Sequence, residues 1–353
     1  MALVPSFCAV SCGQPASYWF VRFAGVAILT MFDAPVVPLI TMTGRPFRFG
    51  VNMRTAVSGA AWADAARRAE ALGYDTLTVP DHFTQMFSPM PAIAAAAAAT
   101  TRLRIGTLVL NNDFRHPVLL AREAALVDVL SDGRLQLGLG AGYMKSEYEQ
   151  AGLVFDRGRV RVARLAEAVT IVKGLLRGET VTFAGDHYRV TGHAIHPRPR
   201  QQPHPPILIG GNGRHILTLA AREADIVALT GVTFSQGGVG RDFSGFTAEG
   251  TDERLRWIRE AASARRDPRE LNALLQRVIV TDDRANAAAE LARQWPPLTP
   301  ADILGSPFVL LGTVDQIVEA LRRRRERWGI SYYVVMEPAM ETFAPVIACL
   351  AGR

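Results

Sequence analysis

LRIGTLVLNNDFRHPVLLAREAALVDVLSDGRLQLGLGAG, residues 103–142, reads as a complete strand–helix–strand unit. Residues 103–110 are mostly apolar, the pattern of a strand buried on both faces. Pro117 sits where the first turn of a helix begins, and His116 before it is steered toward extended backbone. Val118, Leu119, Ala125, Leu126, Val129 and Leu130 then recur at helical spacing. Ser131-Asp132-Gly133 stops that helix. Residues 134–139 form the next strand, which runs into Gly140-Ala141-Gly142. Strands joined by a crossover helix are parallel. They deliver their C-terminal loops to one face, where α/β folds bind ligands.

The same alternation continues in both directions. Strands are expected at 47–53, 76–79, 103–110, 134–139, 207–209, 225–229, 274–280 and 332–336. Helices are expected at 60–72, 90–100, 117–130, 160–176, 214–222, 252–264, 285–294 and 314–328, with a last one at 342–350. Eight strands alternating with helices predict an α/β fold, a (β/α)8 TIM barrel spanning 46–353. A doubly wound open sheet is the rival. Thr313 ahead of Val314-Asp315-Gln316 has the form of a capping box.

Two stretches break the rhythm. Residues 178–205 hold a hairpin pattern, 180–184 and 188–191 around Gly185-Asp186, followed by an extended run rich in proline and histidine. Residues 231–250 are glycine-rich. Both read as insertions at the C-terminal face that shape the mouth of a site. Residues 1–45 differ again, with two cysteines, several prolines and an apolar run at 18–29 broken by Arg22. That run is short for a membrane span. No basic residue precedes Arg22, as a signal peptide would require. The segment reads as a poorly ordered extension outside the fold, an overlong gene start, or else a peripheral arm.

The chain has 353 residues, enough for a barrel-sized core, and its 49% hydrophobic and 20% charged content is ordinary for a globular protein. The net charge of +6 rests on arginine. It fits a solvated surface or a site for an anionic ligand. No basic stripe interleaves with aromatics, which argues against nucleic acid as a partner. Arg322–Arg325 is a run of four, but Glu319 and Glu326 flank it on its helix. Cys8, Cys12 and Cys349 make neither a disulfide framework nor a metal pattern, so a reduced, cytoplasmic setting is expected. The spacing of His187, His193, His196 and His204 matches no common metal site, and no metal is expected.

Three segments, in this order and spacing, carry a family resemblance: DTLTVPDHF at 75–83, the unit above, and PILIGGNG at 206–213. Over about residues 46–350 the chain resembles the luciferase-like monooxygenase superfamily, whose members use FMN or the deazaflavin F420. Within it, the F420-dependent oxidoreductase branch is the nearest. The resemblance places His82 beside the deazaflavin ring as the leading catalytic group. Histidine suits proton movement near neutral pH. A hydrogen-bonded rim histidine is the plain alternative. Asp81 would orient that imidazole or bind the ring edge.

The third strand of the family commonly carries a non-proline cis peptide behind the middle ring of the cofactor. Here that bond would join Leu108 and Val109, with Thr107, Leu108 and Val109 lining the cofactor. A plain buried strand is the alternative. Asn111 would hydrogen-bond the pyrimidine edge or substrate. Gly140, Ala141 and Gly142 would let a planar ligand approach the backbone. Tyr143 stands about where the family's sugar-phosphate dehydrogenases carry an acid, so their substrate does not carry over. Tyr143 or Glu147 is left as the second proton-transfer group, and Glu147 also reads as a helix N-terminal acid.

Gly210, Gly211, Asn212 and Gly213 would bind the cofactor phosphate with backbone N–H groups at a helix start. The phosphate and polyglutamate tail of F420 suits the positive net charge. The resemblance therefore implies an F420-dependent oxidoreductase that moves hydride between the deazaflavin C5 and a small organic substrate. It would be a homodimer with no membrane partner. An FMN-dependent monooxygenase and a non-catalytic flavin- or deazaflavin-binding protein are the alternatives.

Overall fold

The computed structural model describes residues 45–235, 240–262 and 269–353, together with a two-residue pairing of Arg22–Phe23 with Val26–Ala27. The expected extension over 1–45 lies, but for that pairing and Arg45, outside the described residues.

Eight parallel strands close into a barrel in chain order: β1 Arg48–Asn52, β2 Thr76–Val79, β3 Arg104–Thr107, β4 Leu135–Gly140, β5 Ile207–Gly211, β6 Ile226–Leu229, β7 Glu270–Leu274 and β8 Ile330–Met336. The β4–β5 pairing, Leu137 opposite Ile207, and the β8–β1 pairing complete the ring. An open doubly wound sheet is thereby ruled out. The helices on the outer wall are α1 Gly59–Ala71, α2 Pro89–Ala99, α3 Pro117–Leu130, α4 Gly158–Leu176, α5 Arg214–Glu223, α6 Ala248–Ala262, α7 Arg284–Gln294, α8 Val314–Trp328 and α9 Met340–Leu350. Strands covered by helices outside and side chains inside are buried along their whole length, as β2, β4 and β6 are.

The barrel interior is layered. Its floor is polar: Arg48 bonds Glu270 at 2.7 Å and Gln136 at 3.3 Å, and lies 4.5 Å over the Tyr332 ring. Above it Leu108, Leu208, Ile226, Ala228, Tyr332 and Val334 form an apolar plug. The C-terminal ends of the strands open above the plug.

Three expectations need correction. The seventh strand is Glu270–Leu274, not 274–280. Arg277–Val280 leaves the barrel and pairs in parallel with Val309–Gly312. The apolar Val278-Ile279-Val280 imitates a core strand, whereas the true β7 begins at Glu270 because that end faces the polar floor. Second, β3 stops at Thr107 and the chain resumes pairing with β4 at Leu110–Asn111, so 103–110 is not one continuous strand.

Third, the insertion at 178–205 does not belong to the C-terminal face as a whole. It joins α4 to β5 and so starts and ends at the opposite, N-terminal end. There Arg200 N–H, Gln201 N–H and Gln201 Nε2 donate to the buried Asp128 carboxylate at the end of α3. Only the hairpin Val181–Ala184 with Arg189–His193 climbs the outer wall, and the hydroxyl of Tyr188 beside its turn accepts from Asn112 at the rim. The insertion at 231–250 follows β6 and does sit at the C-terminal face, with Thr233–Ser235 paired to Gly240–Asp242. Two short helices, Lys145–Gln150 and Pro300–Gly305, lack enough turns to show a periodic pattern in sequence.

Candidate active site

Strand β2 ends at Val79, and Pro80 hands the chain to Asp81 and His82 on the rim. Strand β4 ends at Gly140 and leads through Tyr143 into the helix Lys145–Gln150. The two loops meet at His82. Its Nδ1 lies 3.0 Å from both carboxylate oxygens of Glu147, which is only 2% exposed, and the Phe83 N–H donates to Glu147 Oε1 at 2.9 Å. A carboxylate only accepts hydrogen bonds, so Nδ1 is the donor in this contact and Nε2 is the nitrogen turned toward the mouth. Nε2 faces the Tyr143 hydroxyl at 3.5 Å, with the rings edge to face at 5.5 Å. Burial, reinforced by the Glu147 charge and opposed by Arg54, raises the Tyr143 phenol above its ordinary value. Tyr143 stacks on Phe234 of the 231–250 insertion at 4.5 Å. Phe83, 51% exposed, stacks on Phe114 at 4.0 Å. The mouth around Nε2 is therefore aromatic.

Asp81 does not orient His82. Consecutive residues leaving a strand point to opposite sides, and Asp81 turns to Arg115, which reaches it at 2.5 Å and 3.2 Å, while the Asn111 N–H donates at 2.9 Å. Glu147, held open in sequence between a proton-transfer group and a helix-terminal acid, is the group on the imidazole. It sits in the first turn of the short helix Lys145–Gln150.

The Leu108–Val109 peptide is cis, as the resemblance implies. Leu108 points down into the barrel plug, and Val109 lodges between β4 and β5. A Cβ on Gly140 would stand 2.6 Å from one Val109 methyl, and a Cβ on Gly210 2.9 Å from the other. The two glycines thus make room for the Val109 side chain.

Thr107, Asn111, Ala141, Gly142, Gly211 and Asn212, all expected at the cofactor, each have contacts within the protein. Thr107 Oγ1 donates to Gly138 O at 2.8 Å and accepts from Gly138 N at 2.9 Å, stitching β3 to β4. Asn111 Oδ1 accepts from the Tyr148 hydroxyl at 3.0 Å and the Asp113 N–H at 3.1 Å. Gly142 has φ +70° and crowds Tyr148 and Asn111, so a side chain there is excluded by the protein itself. The carbonyls of Ala141 and Gly142 accept from Arg161 at 3.1 Å and 3.2 Å. Asn212 is buried and ties the loops together. Its Nδ2 donates to Thr233 Oγ1 at 2.8 Å, and its Oδ1 accepts from Arg254 Nε at 3.0 Å. A Cβ on Gly211 would meet Ile216 of α5 at 2.4 Å, so that glycine serves strand–helix packing. Gly213 differs: it caps α5 without a side-chain bond, and a Cβ there would meet nothing within 4 Å. Residues 213–215 are exposed, so the start of α5 is open to solvent, a condition for holding a phosphate.

Sequence reasoning missed Arg115, Tyr148, Arg161, Phe234 and Arg254. All are joined to the site by contacts between segments far apart in the chain, and none sits in a recognisable local pattern.

A closed parallel barrel with a histidine after β2 and a cis bulge after β3 defines a class, and sequence comparison agrees: the chain belongs to the luciferase-like monooxygenase family, whose profile matches residues 45–332. Among individual relatives, the F420-dependent glucose-6-phosphate dehydrogenase of Nakamurella multipartita is 35% identical over 193 residues, 52% of this chain and 56% of that protein. The one from Beutenbergia cavernae is 31% identical over 276 residues, 74% and 77% of the two chains. The chain thus spans little more than half the length of the first of these relatives. The structure of the F420-dependent tetrahydromethanopterin reductase of Methanopyrus kandleri superposes with a TM-score of 0.68 at 18% identity, over 87% of this chain and 99% of that one, a likeness of fold.

Proposed function

We propose that this chain is an F420-dependent oxidoreductase acting on a small, uncharged organic substrate. The observation that carries the reading is the His82–Glu147 pair, which turns Nε2 toward the aromatic mouth at the C-terminal rim. The residues present fit the cofactor. The Val109 bulge, seated between Gly140 and Gly210, would back the deazaflavin ring, and the open start of α5 at Gly213 would hold its phosphate. When bound, F420 supplies the hydride acceptor or donor at C5 of its deazaflavin ring.

The chain's own residues manage the proton. The Nε2 lone pair takes a proton from a substrate hydroxyl, and the resulting imidazolium is stabilised by the Glu147 carboxylate. In the opposite direction the protonated ring gives that proton to a carbonyl oxygen. Tyr143, kept protonated by burial, donates a hydrogen bond to the same oxygen. Its stacking on Phe234 favours an apolar substrate over the glucose 6-phosphate named for the relatives. A homodimer accords with α3, whose exposed face carries Leu119, Leu126 and Leu130 with Arg122 and Glu123 between them.

Titrating the full chain with F420 and with FMN, read by fluorescence, tests the proposal. F420 is expected to bind, and tight FMN binding without an F420 response refutes the reading. In the F420-loaded protein, His82→Ala should bind cofactor as before while turnover of an alcohol panel falls by roughly 10²- to 10⁴-fold. Unchanged turnover removes His82 from its role.

A further inference from the structure

The four arginines 322–325 on α8 do not share one fate. Arg325 turns to the Arg353 carbonyl at 2.7 Å and the Phe47 ring at 4.1 Å. Arg323 and Arg324 turn the other way, with Arg327 and Trp328, into a cavity of about 590 Å³. The helix Pro300–Gly305, the strand Val309–Gly312 and Arg284 at the start of α7 form the facing walls. None of the active-site residues described above lines it. The size is that of small-molecule pockets generally. The inner wall is aliphatic, made by Ile303, Val309, Leu310 and Leu311, all buried.

The charge in this cavity is unbalanced. Arg324 is 7% exposed, yet among the described residues its guanidinium bonds only the main-chain carbonyls of Val309 at 2.7 Å and Pro307 at 3.5 Å. No carboxylate among the described residues pairs with it. A guanidinium keeps its charge and offers five donors, and a buried charge without a counter-ion is costly. Burial first, opposed by the neighbouring Tyr333 and reinforced by Arg284 and Arg323, lowers Arg324 to about 10. Arg284 also has no carboxylate partner among the described residues. Arg323 has the exposed Glu319 at 3.4 Å, and Arg327 is engaged by Asp252 at 2.6 Å. Glu326 lines the cavity but forms an ion pair with none of the four.

We infer that this cavity binds a small organic anion, a carboxylate or phosphate monoester on an apolar body. The head group supplies the counter-charge that Arg324 and Arg284 lack, and the body rests on Ile303, Leu310 and Leu311. The site is separate from the hydride chemistry, so the inference stands or falls without the proposed function.

Calorimetric titration of the full chain with octyl phosphate, octanoate, octanol and inorganic phosphate tests it. Octyl phosphate and octanoate should bind saturably with one site per chain, with octanol and inorganic phosphate at least about tenfold weaker. The double variant Arg284→Gln/Arg323→Gln, at positions accessible from solvent, should weaken octyl phosphate about tenfold or more. Ala320→Trp should abolish binding by filling the space, provided its thermal transition stays cooperative. His82→Ala should leave binding unchanged. Absence of saturable binding, equal binding of octanol or inorganic phosphate, or octyl phosphate binding indifferent to Arg284→Gln/Arg323→Gln overturns the inference.

Discussion

Replacing Glu147 by glutamine isolates what the carboxylate does for His82. The substitution keeps the shape and an acceptor oxygen but removes the charge. Both carboxylate oxygens stand 3.0 Å from His82 Nδ1, and one of them also receives the Phe83 N–H at 2.9 Å. In the glutamine variant the single carbonyl oxygen must choose between these donors, and the amide NH2 presents a donor to the imidazole. A hydrogen bond to a charged group contributes about 1.5–3 kcal/mol against about 0.5–1.5 for a neutral one, so the imidazolium loses about 1–2 kcal/mol of stabilisation. That corresponds to a fall in hydride transfer of roughly 5- to 30-fold, well short of the loss expected for His82→Ala. Single-turnover absorbance of F420 measures the rate, and ring nitrogen shifts of His82 report the tautomer without any substrate. Wild-type turnover together with an unchanged His82 nitrogen spectrum in the Glu147→Gln protein refutes the reasoning.

Other expectations follow from the same contacts. Gly140→Ala drives a Cβ to 2.6 Å from Val109, so stability should fall by about 1–3 kcal/mol in urea and F420 affinity with it, whereas Gly213→Ala, facing open space, should cost less than about 1 kcal/mol. Arg115→Ala strands the buried Asp81 and should cost about 3–5 kcal/mol by the same assay, with Arg115→Ala/Asp81→Asn recovering part of the loss. Burial, foremost among the causes, raises the phenols of Tyr74, Tyr143, Tyr148, Tyr188, Tyr332 and Tyr333 in the folded state. Between the unfolded value near pH 10 and those raised values the folded state holds more protons. Stability present below about pH 10 should therefore be lost as pH rises above it, and tyrosinate absorbance should appear together with unfolding. Early tyrosinate absorbance from more than one phenol of a still-folded chain, Tyr18 lying outside this set, would contradict those burial effects.

What was legible in the sequence was legible for local reasons. Helices α3 and α8 keep the expected bounds because Pro117 at the first turn and the Thr313–Gln316 capping box mark their starts within a few residues. The bounds of β2 were readable because a strand buried on both faces is apolar or small throughout. β7 was not, since Glu270 and Asn272 look like surface residues until the polar floor of a closed barrel is known to receive them.

The sequence by itself determined the alternation of strands and helices, the barrel it implies, and the arrival of His82 and Gly213 at strand ends, while the Leu108–Val109 bulge was implied by the family resemblance. Periodicity, caps and glycine turns act over a few residues, so they are written in the chain. Only the tertiary structure decided which neighbours these groups have. Glu147 rather than Asp81 holds the imidazole, the Asn212 side chain braces loops, and two of the four arginines on α8 face a cavity. Those outcomes depend on which loops the closed barrel brings together across separations such as the 65 residues between His82 and Glu147, a distance no local pattern records.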